Sequence, residues 1–229
     1  MTSFLSSSLS KRIVSAAIIA PVFLLSLLYG APFLTIWLIV AFAISVYELF
    51  GLAKRTDFFV PCMVLGVIYA AISFSCFLAL REVYSVNVVL LFLGMIWVSD
   101  IGAYAVGKTV GGPKLLQKIS PNKTWSGFGG ALFFPAVFAF FWVWTFGLHA
   151  EFNHNRWFIL LPVAAGLGAV IGSVGQAGDL LVSFIKRQAG VKDTGTIIPG
   201  HGGLLDRIDS MLLGAPVFLI LITLLSYVI

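Results

Sequence analysis

Seven apolar runs, each long enough to cross a bilayer, occupy nearly the whole of this 229-residue chain. They lie at about 13 to 29, 33 to 50, 60 to 80, 86 to 107, 128 to 148, 157 to 181 and 210 to 228. A spanning helix needs roughly 20 mostly apolar residues, because each residue advances only about 1.5 Å and the hydrocarbon layer is about 30 Å thick. Backbone amides have no water partner inside lipid, so such segments must satisfy their hydrogen bonds internally as helices. The sequence therefore predicts an all-α, polytopic integral membrane protein with about seven transmembrane helices and a polar cavity facing the cytosol. Charged residues make up 10% of the chain, far below the roughly one quarter usual in soluble domains. No soluble domain or linker is left over. Residues 1-229 read as a single transmembrane domain, with N-terminal helices over about 1-85 and a second set of helices and loops over about 86-229.

The formal charge of +5 suggests a nucleic-acid partner until the basic residues are set against the spans. Lys11, Arg12, Lys54, Arg55, Lys108, Lys114, Lys118, Lys123, Lys186, Arg187, Lys192 and Arg207 fall in the N-terminal tail and every second loop, and only Arg81 and Arg156 fall on the other side. The positive-inside rule then predicts a cytosolic N-terminus and, after seven spans, a C-terminus outside. Charge here reports topology first and an anionic ligand second, so no nucleic-acid partner is expected. Lys11 and Arg12 ahead of an apolar run also suit a signal peptide. The turn at Gly30-Ala31-Pro32, leading straight into a second apolar run, suits a helical hairpin better. Cys62 and Cys76 lie fourteen residues apart on one predicted helix, about 21 Å along its axis, too far to bridge. No cysteine or histidine pair has zinc spacing.

Polar residues enter the spans in three places. Asp100 closes the fourth run, and Ala103, Tyr104 and Gly107 share its helical face. Ionic side chains at mid-membrane depth cost about 2.5 to 3.5 kcal/mol on insertion scales, which favours a cavity or metal role over a headgroup-level helix end. In the sixth run, Gly172, Gln176, Asp179, Ser183 and Lys186 follow i, i+4, i+7, i+11 and i+14 and lie on one face. Glycine stripes often mark only helix packing, but a packing seam does not need both an Asp and a Lys. At the start of the last run, Asp206 and Asp209 stand three apart and suit either a helix N-terminus or, with Asp179, an all-oxygen site for a magnesium-like ion.

Between those helices the loop Pro199-Gly200-His201-Gly202-Gly203 offers backbone amides that can approach a phosphate. Lys186, Arg187, Lys192 and Arg207 add positive charge nearby. A second polar loop, KLLQKISPNKTWSGFGG from Lys114 to Gly130, brings Ser120, Lys123 and Thr124 as further donors and Trp125 as an interface anchor. It holds no GxxxxGK[ST] phosphate loop.

These segments match a known pattern. From Ser183 to Asp209, SFIKRQAGVKDTGTIIPGHGGLLDRID resembles the signature of the phosphatidate cytidylyltransferase, or CDP-diacylglycerol synthase, family: S-x-x-K-R-x4-K-D-x-G-x3-P-G-H-G-G-x-x-D-R-x-D. Upstream, SDIGAYAVG and SPNKTWSG are similar to its SDxxAYxxG and SPxKTWEG segments, so the resemblance covers about residues 97 to 210. Ser126 stands where the family usually has Glu, and the chain resembles a short member that lacks a helical hairpin ahead of Asp100.

The resemblance implies transfer of a cytidylyl group from CTP to phosphatidate at the cytosolic face, giving CDP-diacylglycerol and pyrophosphate. It implies Asp179, Lys186, Asp206, Arg207 and Asp209 as catalytic residues. Asp179 and Asp206 would be the first metal ligands, with Asp209 in support and Asp100 as a further candidate, holding Mg²⁺ and leaving room for a second cation. Ser120, Lys123, Thr124, Ser183, Arg187, Lys192, Gly200, His201, Gly202 and Gly203 would bind substrate. A bacterial inner membrane, contact with membrane lipids and an optional homodimer complete these expectations. The competing activities are a CTP-dependent lipid kinase of the polyprenol type and an ion-coupled transporter. A CDP-alcohol phosphotransferase fits less well, because its DGxxAR...GxxxD acids are absent.

Overall fold

A computed structural model describes residues 2–147 and 157–228; Arg156, assigned above to the sparsely charged side, lies outside them. The described chain forms α1 (Thr2–Tyr29), α2 (Phe33–Ala53), α3 (Phe59–Val83), α4 (Val86–Thr109), strands β1 (Lys114–Leu116) and β2 (Ser120–Thr124), α5 (Trp125–Phe146), α6 (Trp157–Gln188) and α7 (Leu205–Val228). Among the described residues, seven helices are long and apolar enough to cross a membrane. All seven expected spans are present.

The core lies between α3, α4, α6 and α7. Phe77, Phe92, Phe218, Leu80, Leu91, Met95, Ile171 and Ile222 are buried there, and the rings of Phe92 and Phe218 stack with centroids 5.1 Å apart. In lipid, tails are as apolar as these side chains, so close packing must hold the helices together. Two glycines on α6 permit that closeness. A Cβ on Gly172 would stand 2.0 Å from the Ala131 carbonyl oxygen of α5, and one on Gly178 would stand 2.5 Å from the Asp209 carbonyl oxygen of α7. The second contact presses α6 against α7 beside Asp179.

The helix ends differ from the sequence expectation. Helix α6 runs on to Gln188 and α7 begins at Leu205, because the polar stripe continues at helical spacing and is satisfied by protein partners rather than lipid. The Lys114 to Gly130 loop is partly a β-hairpin, with Lys114 opposite Thr124 and Leu116 opposite Ser120. Thr124 then caps α5 by accepting a hydrogen bond from the Gly127 amide at 3.1 Å. Ser126 donates to the Gly111 carbonyl and sits 2.9 Å from the Thr124 hydroxyl. A short hydroxyl at position 126 thus closes the base of the hairpin. Both cysteines are free.

Candidate active site

At the basic end of the bundle, α4, α6, α7 and the β-hairpin enclose a polar cavity of about 470 Å³. Asp100, Lys123, Thr124, Asp179, Lys186, Arg187, Lys192, Arg207 and Asp209 line it, together with Asp206, Asp193 and Gln176. Residues from sequence positions 100 to 209 therefore meet on one space.

Two hydrogen-bonded networks form its walls. In the first, Lys123 from the hairpin reaches Asp179 at 2.7 Å and Gln176 Oε1 at 2.8 Å. Gln176 donates to Asp100 at 3.1 Å, and Ser183 donates to Asp179 at 3.1 Å. The i to i+4 spacing on α6 places Ser183 one turn beyond Asp179 and makes that last bond possible. In the second network, Lys186 reaches Asp206 Oδ1 at 2.7 Å. Asp206 Oδ2 accepts from the Thr194 amide at 2.8 Å, the Thr194 hydroxyl at 3.0 Å and the Gly203 amide at 3.3 Å. Both oxygens of Asp206 are thus engaged by the protein.

Asp209 is buried and lies within electrostatic reach of Asp179, Asp100 and Lys186. It accepts a bond from the Ser210 amide at 2.8 Å. Asp100, Asp179 and Asp209 come from three different helices and offer carboxylate oxygen to the cavity. Among the described residues, no three acidic, histidine or cysteine side chains converge as a ready-made ligand set.

The glycine loop goes elsewhere. Gly200, His201, Gly202 and Gly203 do not line the polar cavity. The loop closes on itself through Ile198 and Gly202, which form an isolated bridge, and the Gly203 amide serves Asp206. His201 turns toward α1, where its Nδ1 stands 2.9 Å from the Ser15 hydroxyl. The Gly200 carbonyl accepts from Arg12 at 2.8 Å. Ser120 pairs within the hairpin, and Arg187 donates to the backbone carbonyls of Ile119 and Val191, tying hairpin to helix.

A second cavity, about 270 Å³ and almost wholly apolar, lies between α1, α2, α3 and α7. Ala20, Phe23, Ala41, Phe74 and Met211 line its walls, with His201 at its polar margin. Arg207 lines both cavities, and its guanidinium is anchored by two donations to the His201 carbonyl.

A model of the cytidylyltransferase family matches residues 54–225. The chain belongs to that family. Among curated relatives, the phosphatidate cytidylyltransferase of Rickettsia felis is 32% identical over 210 residues, covering 90% of this chain and 88% of that protein. The protein of the same name from Rickettsia bellii is 31% identical, covering 92% and 89%. That of Staphylococcus haemolyticus is 40% identical over 162 residues, covering 69% of this chain but only 57% of its own length. This cytidylyltransferase-family chain is thus close to the rickettsial proteins in length and spans little more than half of the staphylococcal one. The family match takes in every residue lining the polar cavity, so the acids and bases gathered there are the chemistry that the family assignment brings into focus.

One residue outside the expected set touches the loop and helix that carry Asp206. Glu48 of α2, buried in an apolar helix, accepts bonds from Thr194, Leu204 and Leu205. It was passed over in the sequence, although a lone acid in a spanning segment is a signal that could have found it.

Proposed function

We propose that this protein transfers the cytidylyl group of CTP to phosphatidate, releasing pyrophosphate and leaving CDP-diacylglycerol in the membrane. The observation that carries the reading is the polar cavity, where five acids, Asp100, Asp179, Asp193, Asp206 and Asp209, share one space with Lys123, Lys186, Arg187, Lys192 and Arg207. In the reaction, a phosphate oxygen of phosphatidate forms a bond to the α-phosphorus of CTP as the bond from that phosphorus to the β-phosphate oxygen breaks. Both reactants are polyanions. Their mutual repulsion is the main barrier, and fixed positive charge offsets it while stabilising charge that moves onto pyrophosphate. A phosphomonoester with a second pKa of about 6 is largely ionised at neutral pH, so no strong base is required. Lys186, held in place by Asp206, and Arg207, held by the His201 carbonyl, supply oriented cations.

The donor set fits magnesium. Mg²⁺ is ordinarily held by one or two carboxylates plus substrate phosphates rather than by a complete protein cage, which suits Asp100, Asp179 and Asp209 without a converged trio. Such an ion, when bound, would supply charge neutralisation on the triphosphate. Asp206, expected as a first ligand, also lines the cavity, and it orders the Lys186 ammonium with one oxygen while the other holds the Thr194 and Gly203 donors. The excess of basic residues at this end supports a cytosolic orientation for the cavity.

Arg207 gives phosphatidate a route between the cavities: acyl chain in the apolar space, phosphate at the guanidinium, CTP on the polar side. Filling the apolar space with Ala41→Phe is expected to raise KM for a dioleoyl substrate about fivefold or more relative to a dihexanoyl one, since the longer chain loses buried methylenes. KM for CTP should hardly move. Equal KM ratios in variant and wild type would remove the acyl chain from this cavity.

The activity itself is tested with purified protein, radiolabelled CTP and phosphatidate. CDP-diacylglycerol and pyrophosphate are expected with Mg²⁺ and background product after chelation. CDP together with a phosphorylated lipid alcohol would establish the kinase instead.

A further inference from the structure

Glu48 is the single charged residue of α2, 2% exposed, and a buried carboxylate in a spanning helix must be fully partnered to persist. Its partners lie about 150 residues away in the chain. Oε1 accepts from the Leu204 amide at 2.8 Å, and Oε2 accepts from the Leu205 amide at 2.9 Å and stands 2.9 Å from the Thr194 hydroxyl. The two amides belong to the N-terminus of α7, where backbone donors lack intrahelical acceptors and the helix dipole favours negative charge. Capping alone would explain those two bonds.

The Thr194 contact requires more. That same hydroxyl is 3.0 Å from Asp206 Oδ2, so its one proton is held between two carboxylates, one from α2 and one from α7. Asp206 in turn holds Lys186 at 2.7 Å. The loop has been drawn tightly around this point. A Cβ on Gly195 would stand 2.8 Å from Glu48 Oε1, and one on Gly203 would stand 2.7 Å from Oε2 and 1.9 Å from the Thr194 hydroxyl. Two glycines of the signature are therefore accounted for by the approach of Glu48.

We infer that Glu48 is a positioning residue for cytidylyl transfer: through Thr194 and the first turn of α7 it fixes Asp206, and through Asp206 it fixes the Lys186 ammonium in the polar cavity. The inference rests on the reading that Lys186 acts on a substrate phosphate. It also gives the N-terminal helices a part in the chemistry, although no α2 side chain lines that cavity.

Thr194→Val is the sharpest test, because it deletes the linking hydroxyl and leaves the Glu48 bonds to α7 in place. It is expected to lower kcat about tenfold or more with KM for phosphatidate little changed, as loss of an interaction that matters in the transition state does. Thr194→Ser, which keeps the hydroxyl, should restore most of kcat. Glu48→Gln should lower kcat comparably. The double variant Glu48→Gln with Thr194→Val should lose about as much as the worse single variant, because residues acting through one chain are not additive. Multiplying losses, or wild-type kcat in Thr194→Val, would overturn the inference. If Glu48→Gln does not fold, Glu48→Asp, which keeps the charge but draws it back from the Thr194 hydroxyl, replaces it in the same cycle.

Amide exchange provides a readout independent of the reaction. The Thr194 amide is bound by Asp206 and not by Glu48, so faster exchange in a peptide covering residues 191–196 of Glu48→Gln is expected. Acceleration confined to Leu204 and Leu205 would reduce Glu48 to a cap. Absence of CDP-diacylglycerol from the wild-type enzyme would sink the proposed activity while leaving this exchange test of the linkage standing.

Discussion

Asp206→Asn is expected to cost the protein both its turnover and a large part of its stability. The Lys186–Asp206 pair is 2.7 Å long, with side chains 11% and 8% exposed. Removing one partner of such a pair leaves the other charge buried and uncompensated, at about 3–5 kcal/mol. Asn offers one acceptor oxygen where Asp206 offers two, and its NH₂ group must face either the Lys186 ammonium or the amides of Thr194 and Gly203. All of these are donors. A lower thermal midpoint in detergent, together with loss of CDP-diacylglycerol formation, is the expected result. Adding Lys186→Met to Asp206→Asn removes the stranded charge, so stability should partly return while activity stays lost. Wild-type stability and turnover in Asp206→Asn would show that the network is dispensable.

The membrane architecture was legible because lipid imposes a simple rule: a run of apolar residues of sufficient length must be a helix. Each of the seven runs became one. The stripe from Gly172 to Lys186 was legible for a related reason, since 3.6 residues per turn put its members on one face. In the structure that face serves two ends, with Gly172 packed against α5 and Gln176, Asp179 and Lys186 lining the cavity. Helix ends were less legible. Leu205 to Asp209 precedes the last apolar run, where Asp206 and Asp209 suited a helix N-terminus as well as a cation site, and contact with Glu48 and Thr194 shows what holds it as the first turn of α7. Glu48 itself could be seen as an isolated acid, but nothing local indicates a partner at Thr194 or Leu204. Likewise the glycines at 200 to 203 suggested a phosphate cradle by composition. Their surroundings instead make them a tight loop pressed between Arg12, Glu48 and Asp206.

Asp179→Asn separates chemistry from scaffolding, because here the effects on turnover and on stability are expected to part company. The Lys123–Asp179 pair is also 2.7 Å long, but its side chains are 17% and 29% exposed and open onto the cavity. Partly solvated pairs contribute about 0–1 kcal/mol, so the thermal midpoint should barely move. Turnover should fall about 100- to 1,000-fold, the scale associated with removing one preorganised electrostatic group from a reacting centre. Two explanations of such a loss must then be told apart. If Asp179 acts only by holding Lys123, Lys123→Met should match it and the double variant should lose nothing further. If Asp179 contributes oxygen to a cation, the Mg²⁺ concentration for half-maximal activity should rise in Asp179→Asn. Lys123→Met should lower that concentration, since it removes a competing positive charge from the same carboxylate. Opposite shifts in the two variants would place Asp179 on the metal, and parallel shifts would confine it to positioning Lys123.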